Sequence, residues 1–78
     1  MLPKQRIVRF GPDYKLSIVD EQNAKGKFEL AVFYKDTMVE MPGITDPDDT
    51  VTRFRTPEDV QCIMKKMFSI TGKMPENS

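Results

Sequence analysis

Apolar and polar residues alternate along two stretches near the middle of the chain. In YKLSIVD, residues 14–20, Tyr14, Leu16 and Ile18 fall on one side, with Lys15, Ser17 and Val19 on the other. KFELAVFYK, residues 27–35, repeats the pattern with Phe28, Leu30, Val32 and Tyr34. A period of two is the mark of an extended strand with one covered face. EQNAKG between them has the length and residue types of a hairpin loop. KDT then turns the chain into TMVEM, a third short strand. IVRF before Gly11-Pro12 and VTRF at 51–54 are weaker strand candidates.

The period changes in the last third. Over about 57–71, Val60, Ile63, Met64, Met67, Phe68, Ile70 and Thr71 fall within one broad arc at 100° per residue, which predicts an amphipathic helix. Both of its ends are signed. Thr56 is a good N-cap, because its hydroxyl can accept an orphan amide, and Pro57 follows where a missing N–H costs nothing. Glu58 and Asp59 sit in the first turn, favoured by the positive end of the helix dipole. Gly72 and Pro75 mark the stop.

Strands in series followed by one helix predict an α+β fold. We expect a small two-layer domain, an antiparallel meander of three to five strands packed against one C-terminal helix. Seventy-eight residues make one domain over 1–78, with 1–5 and 73–78 as candidate disordered tails.

Composition narrows the function classes. Twelve bases balance twelve acids, so no overall field draws the chain to nucleic acid or anionic lipid. One cysteine closes no internal disulfide, the N-terminal MLPKQRIVRF lacks a signal peptide's apolar run, and no run approaches 18 apolar residues. These features predict a cytoplasmic protein without a membrane span. The charge is unevenly distributed, however. Lys4, Arg6 and Arg9 make the first ten residues basic, whereas 36–50 carries five acids and no base.

Candidate chemistry is sparse. Nucleophilic catalysis needs a base, and the chain has no histidine to supply the commonest one. Cys62 falls on the helix's polar side near Lys65 and Lys66, and one Cys without His builds no zinc site. An EF-hand loop starting at Asp46 would need Gly and Glu where the chain has Val51 and Pro57. TGK at 71–73 ends a helix, where a phosphate-binding loop would begin one. KGKFELAVF has Lys27 and Glu29 at positions where an RNA-recognition octamer wants an aromatic and no acid. We therefore expect no catalytic residues, no metal and no cofactor.

Two features remain as partner-binding candidates. Asp46, Asp48 and Asp49 form an acidic loop, which is either a solvated turn or a surface for a basic partner. The second is an irregularity in the alternation. The sheet side away from the helix should be polar, yet Val19, Ala31 and Phe33 lie on it among charged residues. A cover is expected, supplied by the chain's own N-terminal arm with Ile7, Val8 and Phe10, by a second copy, or by a foreign protein.

The sequence thus predicts a non-catalytic protein–protein interaction module. It would be a small adaptor or inhibitor of the kind phages and mobile elements carry, binding a protein partner or forming a homodimer. The alternative is a nucleic-acid-binding module. Lys4, Arg6, Arg9, Arg53 and Arg55 would form a basic strip if IVRF and VTRF were neighbouring strands.

Overall fold

A computed structural model describes residues 4–77 and contains one six-stranded antiparallel sheet and one helix. The strands are β1 (Gln5–Phe10), β2 (Tyr14–Asp20), β3 (Phe28–Tyr34), β4 (Thr37–Val39), β5 (Val51–Arg55) and β6 (Pro75–Asn77). The helix, α1 (Pro57–Thr71), lies between β5 and β6 in sequence. The first four strands form a meander. β5 returns to the outer edge of β3, below β4 on that edge, and β6 pairs with the outer edge of β1. The expected α+β, two-layer design is what the chain adopts, with one more strand than the upper expectation.

That sixth strand corrects one reading of the C-terminus. Residues 75–77 are not a loose tail, since Pro75, Glu76 and Asn77 pair with Phe10, Arg9 and Val8. At the other end Gln5 already belongs to β1, and residues 1–3 of the expected N-terminal tail lie outside the described residues.

Register places the alternating residues as their pattern requires. Leu16 stands opposite Val32 and Val8, and Ile18 opposite Leu30 and Arg6. Val8, Phe10, Leu16, Ile18, Leu30 and Val32 are buried under α1, which contributes Val60, Ile63 and Met67 to the core. Each such side chain contributes roughly 1.5–3 kcal/mol on leaving water. The loop between β4 and β5 closes the remaining side. Ile44 inserts into the core, and Lys66 Nζ donates to the Gly43 carbonyl at 2.7 Å, fastening loop to helix.

The two turns of the meander have different origins. Glu21–Lys27 forms the expected long loop, but Lys35 and Asp36 make a two-residue hairpin in which both have positive φ, 49° and 67°. This geometry matches the natural twist of paired strands and normally selects Asn-Gly. Here the Tyr14–Tyr34 ring pair at 5.0 Å and the Lys15–Asp36 ion pair at 2.6 Å brace the turn.

Helix α1 carries both expected caps. The Thr56 hydroxyl accepts from the Asp59 N–H at 3.1 Å, and the Asp59 carboxylate accepts from the Thr56 N–H at 3.0 Å. This reciprocal box satisfies two orphan donors. At the other end Gly72 adopts φ 69° and its N–H donates to the Phe68 carbonyl at 2.7 Å. The Thr56 backbone N–H, then the Thr56 side chain, holds the Asp59 carboxyl below its ordinary value against the opposing effect of desolvation, with Arg55 and Lys27 adding weaker attraction.

A depressed folded-state pKa means that the cap's contribution is present above the unfolded value of about 3.9 and disappears as pH falls through the folded value. The stability advantage of the wild type over Asp59→Asn should therefore shrink below about pH 4. Denaturant midpoints across a pH series check this, and parallel curves would contradict it. Thr56→Ala should cost about 1 kcal/mol at neutral pH.

Candidate functional site

The sheet has two faces and only one is covered. On the open face Ile7, Ser17, Ala31 and Val51 stand side by side across β1, β2, β3 and β5. The row above holds Arg9, Lys15, Phe33 and Met38, and the row below holds Gln5, Val19 and Glu29. The three residues singled out by their broken alternation, Val19, Ala31 and Phe33, do share this face. The structure adds Ile7, Val51 and Met38, the last 41% exposed. Small side chains in the middle row, flanked by longer ones, leave a shallow depression of about 340 Å³ beside Phe33 and Ile7.

The N-terminal arm does not cover this face. It is strand β1 itself, and its pleat sends Val8 and Phe10 into the core beneath α1 while Ile7 joins the open row. Self-cover, one of the three covers expected for this face, is thus replaced by an extension of the apolar surface. Among the described residues no element lies over it.

Charges around the open face are largely neutralised within the sheet. Arg53 reaches Glu29 at 3.3 Å, Lys15 reaches Asp36 at 2.6 Å, and Arg9 stands opposite Glu76 in the β1–β6 register. Gln5 donates to the Ser17 hydroxyl at 3.1 Å. What the face offers outward is an apolar stripe with a paired rim.

The basic strip does not assemble. β1 and β5 are separated by β2 and β3, so IVRF and VTRF are not neighbours. Lys4 and Arg6 lie at the far edge of the helix-bearing face. Arg9 and Arg53 belong to opposite sides of the open face, and Arg55 is bound to Asp46 at 3.2 Å.

The reason Arg55 reaches Asp46 is a bulge. Between the pairs Leu30–Thr52 and Phe28–Arg55, two residues, Arg53 and Phe54, stand opposite Glu29 alone. The extra residue brings Arg55 onto the same side as Thr52, whose hydroxyl accepts from Arg55 Nε at 2.6 Å. Phe54 takes φ 58° and is left 56% exposed at the sheet edge. A bulky side chain in the left-handed region is strained by roughly 1–2 kcal/mol. Strict alternation would have put Phe54 inside, so nothing in the sequence reveals its position.

The acidic loop is partly a structural device. The Asp46 carboxylate accepts from the Thr52 hydroxyl at 2.9 Å and from Arg55. Asp49 accepts from the Thr50 and Val51 N–H groups and so closes the turn into β5. Only Asp48, exposed and at φ 58°, has no such role. Cys62 is exposed on the outer side of α1. No group of three or more metal-ligating side chains comes together among the described residues, and none of their helices is long and apolar enough to cross a membrane.

Comparison with protein-family models, with curated proteins and with solved structures finds no match for this chain.

The carboxylates should separate by role. Asp46→Ala is expected to lower stability by about 1 kcal/mol, an exposed ion pair plus a hydroxyl bond. Asp48→Asn should stay within about 0.5 kcal/mol of wild type. Thermal or denaturant unfolding distinguishes them, and equal effects would contradict the assignment.

Proposed function

We propose that this chain is a non-catalytic protein–protein interaction module whose docking surface is the open face of its sheet. The observation that carries the reading is an apolar stripe in which Met38 is exposed and Ile7, Val19 and Phe33 are half-buried, over a floor of buried Ala31 and Val51, on a face with no cover among the described residues. Leaving apolar groups of this size in water is unfavourable, and an apolar patch with a polar rim is the anatomy of a protein interface. Phe33, between Lys15 and Met38 in the row above Ala31, serves as the anchor of the stripe, since buried aromatic residues dominate interface energies.

The paired rim supports a protein over a nucleic acid. Phosphate binding draws on cations free to release counterions, whereas Lys15, Arg53 and Arg55 each hold an acid of their own. The acidic loop takes a secondary part through Asp48 alone, because Asp46 and Asp49 are engaged within the fold. One cysteine, unable to close a disulfide within the chain, supports a place for the module in the cytoplasm. In this role the domain acts as an adaptor or inhibitor, with surface presentation as its whole chemistry.

Affinity capture with wild type, Phe33→Lys and Asp48→Asn tests the reading. Phe33 lies outside the core, so Phe33→Lys should keep the fold, checked by an unchanged melting curve, and lose the specific partner. Asp48→Asn should retain it. Retention by Phe33→Lys would overturn the assignment. Molar mass across a dilution series identifies whether the partner is a second copy.

A further inference from the structure

The helix-bearing side of the sheet is itself incompletely roofed. Strands lie about 4.8 Å apart, so five of them span roughly 20 Å, while a helix is about 10–12 Å across. The β4–β5 loop fills one side of α1 through Ile44. On the other side a groove in two parts borders the helix from Pro57 to Phe68. Its first part, about 580 Å³, lies between α1 and the start of β1, floored by Ile18 and Phe28 and walled by Val60 and Met64. Its second part, about 410 Å³, lies between Phe68 of α1 and Met74 and Pro75, where the chain enters β6. Met64 lines both, so the two parts adjoin at that side chain.

The bank formed by α1 is a regular ridge. Pro57, Gln61, Met64 and Phe68 line this groove at intervals of four, three and four residues, which is the row a neighbouring helix packs against. From Pro57 to Phe68 the ridge runs for about 16 Å, or three turns. Phe68 is 43% and Met74 67% exposed. This explains why the helix's apolar arc is wider than its core contacts: Val60, Ile63 and Met67 face the sheet, and Met64 and Phe68 face the groove. Methionine suits such a surface because its flexible thioether adapts to the side chain it meets.

Charge selects the occupant. Lys4 and Arg6 stand on the sheet bank and Lys65 at the far end, and none of the three makes an ion pair among the described residues. Asp20 is the sole acid lining either part.

We propose that this groove docks an acidic amphipathic helix from a partner protein, with apolar residues on one stripe and carboxylates flanking it. The site is separate from the open face, on the opposite side of the sheet, and gives the module a second docking surface. The apolar stripe takes the place of the second helix that a sheet of this width can hold. Its carboxylates meet Lys4 and Arg6 at one end and Lys65 at the other.

The test uses two synthetic helical peptides of about 14 residues, some four turns, carrying Leu at i, i+3, i+4 and i+7. One has Glu at the flanking positions and the other Lys. Methyl NMR of the methionines, with titration of the intact protein, reports binding. The Glu peptide should shift Met64 and Met74 and bind at least about tenfold more tightly than the Lys peptide, a difference of 1.4 kcal/mol. Arg6→Glu should erase that preference. Phe68→Glu, at an exposed position, should weaken binding about tenfold with the melting curve kept. Phe33→Lys should leave binding unchanged, which separates this site from the open face. The proposal is overturned if neither peptide shifts Met64 and Met74, if both bind equally, or if the shifts fall on Met38. It is equally overturned if the Met64 and Met74 signals change on dilution without peptide, which would assign the groove to self-association.

Discussion

One fifteen-residue helix has to roof a sheet about twice its own width. Everything distinctive about the surface follows from that constraint. The helix can bury a single layer of side chains from β1, β2 and β3, and it does so with Val60, Ile63 and Met67. Among the described residues it has no counterpart on the other side of the sheet, and it leaves a strip of its own side bare as well. A chain of this length buries only about 60–65% of its unfolded surface. Apolar residues beyond what one helix can cover must therefore lie outside, at Phe33, Met38, Phe68 and Met74 among others.

The charged residues show a complementary economy. Arg55, Arg53 and Lys15 are each matched by an acid within reach, and two of these pairs stand at places where the backbone is bent. Arg55–Asp46 depends on the Arg53–Phe54 bulge, and Lys15–Asp36 braces a hairpin whose two turn residues are both left-handed. Such exposed pairs contribute little to stability singly. The Lys15 and Arg53 pairs neutralise the rim of the open face, so that an approaching surface meets apolar groups first. Lys4, Arg6 and Lys65 form no ion pair among the described residues, and they line the groove beside α1.

Local signals in the sequence foretold the local structure. Thr56-Pro57 with Asp59, and Gly72 at the end, define α1 because caps depend only on neighbouring residues. Alternation identified β2 and β3, and it correctly sent Val19, Ala31 and Phe33 away from the helix. Features set by distant pairing were not legible. Residues 75–77 contain a proline and no alternation, and they become a strand only because β1 offers an edge beside them. The basic strip failed for the same reason: whether VTRF lies beside IVRF depends on strand order, and β5 goes to β3. Phe54 would point inward in a regular strand, and the bulge that turns it out is recorded only in the pairing. The acids of the 46–49 loop looked like a free cluster because Arg55, nine residues on, is brought to Asp46 by that same bulge.

With one roofed face and one open face, the sheet should give its two faces different access to solvent. Relaxation of methyl protons by a soluble nitroxide measures this directly on the unlabelled surface. The methyls of Ile7, Val19 and Met38 should relax strongly, and those of Val8, Leu16 and Val32, under α1, should be spared. The contrast should persist down to the most dilute sample. Equal protection of both sets at every concentration would mean that the chain itself covers this face, which contradicts an open sheet face.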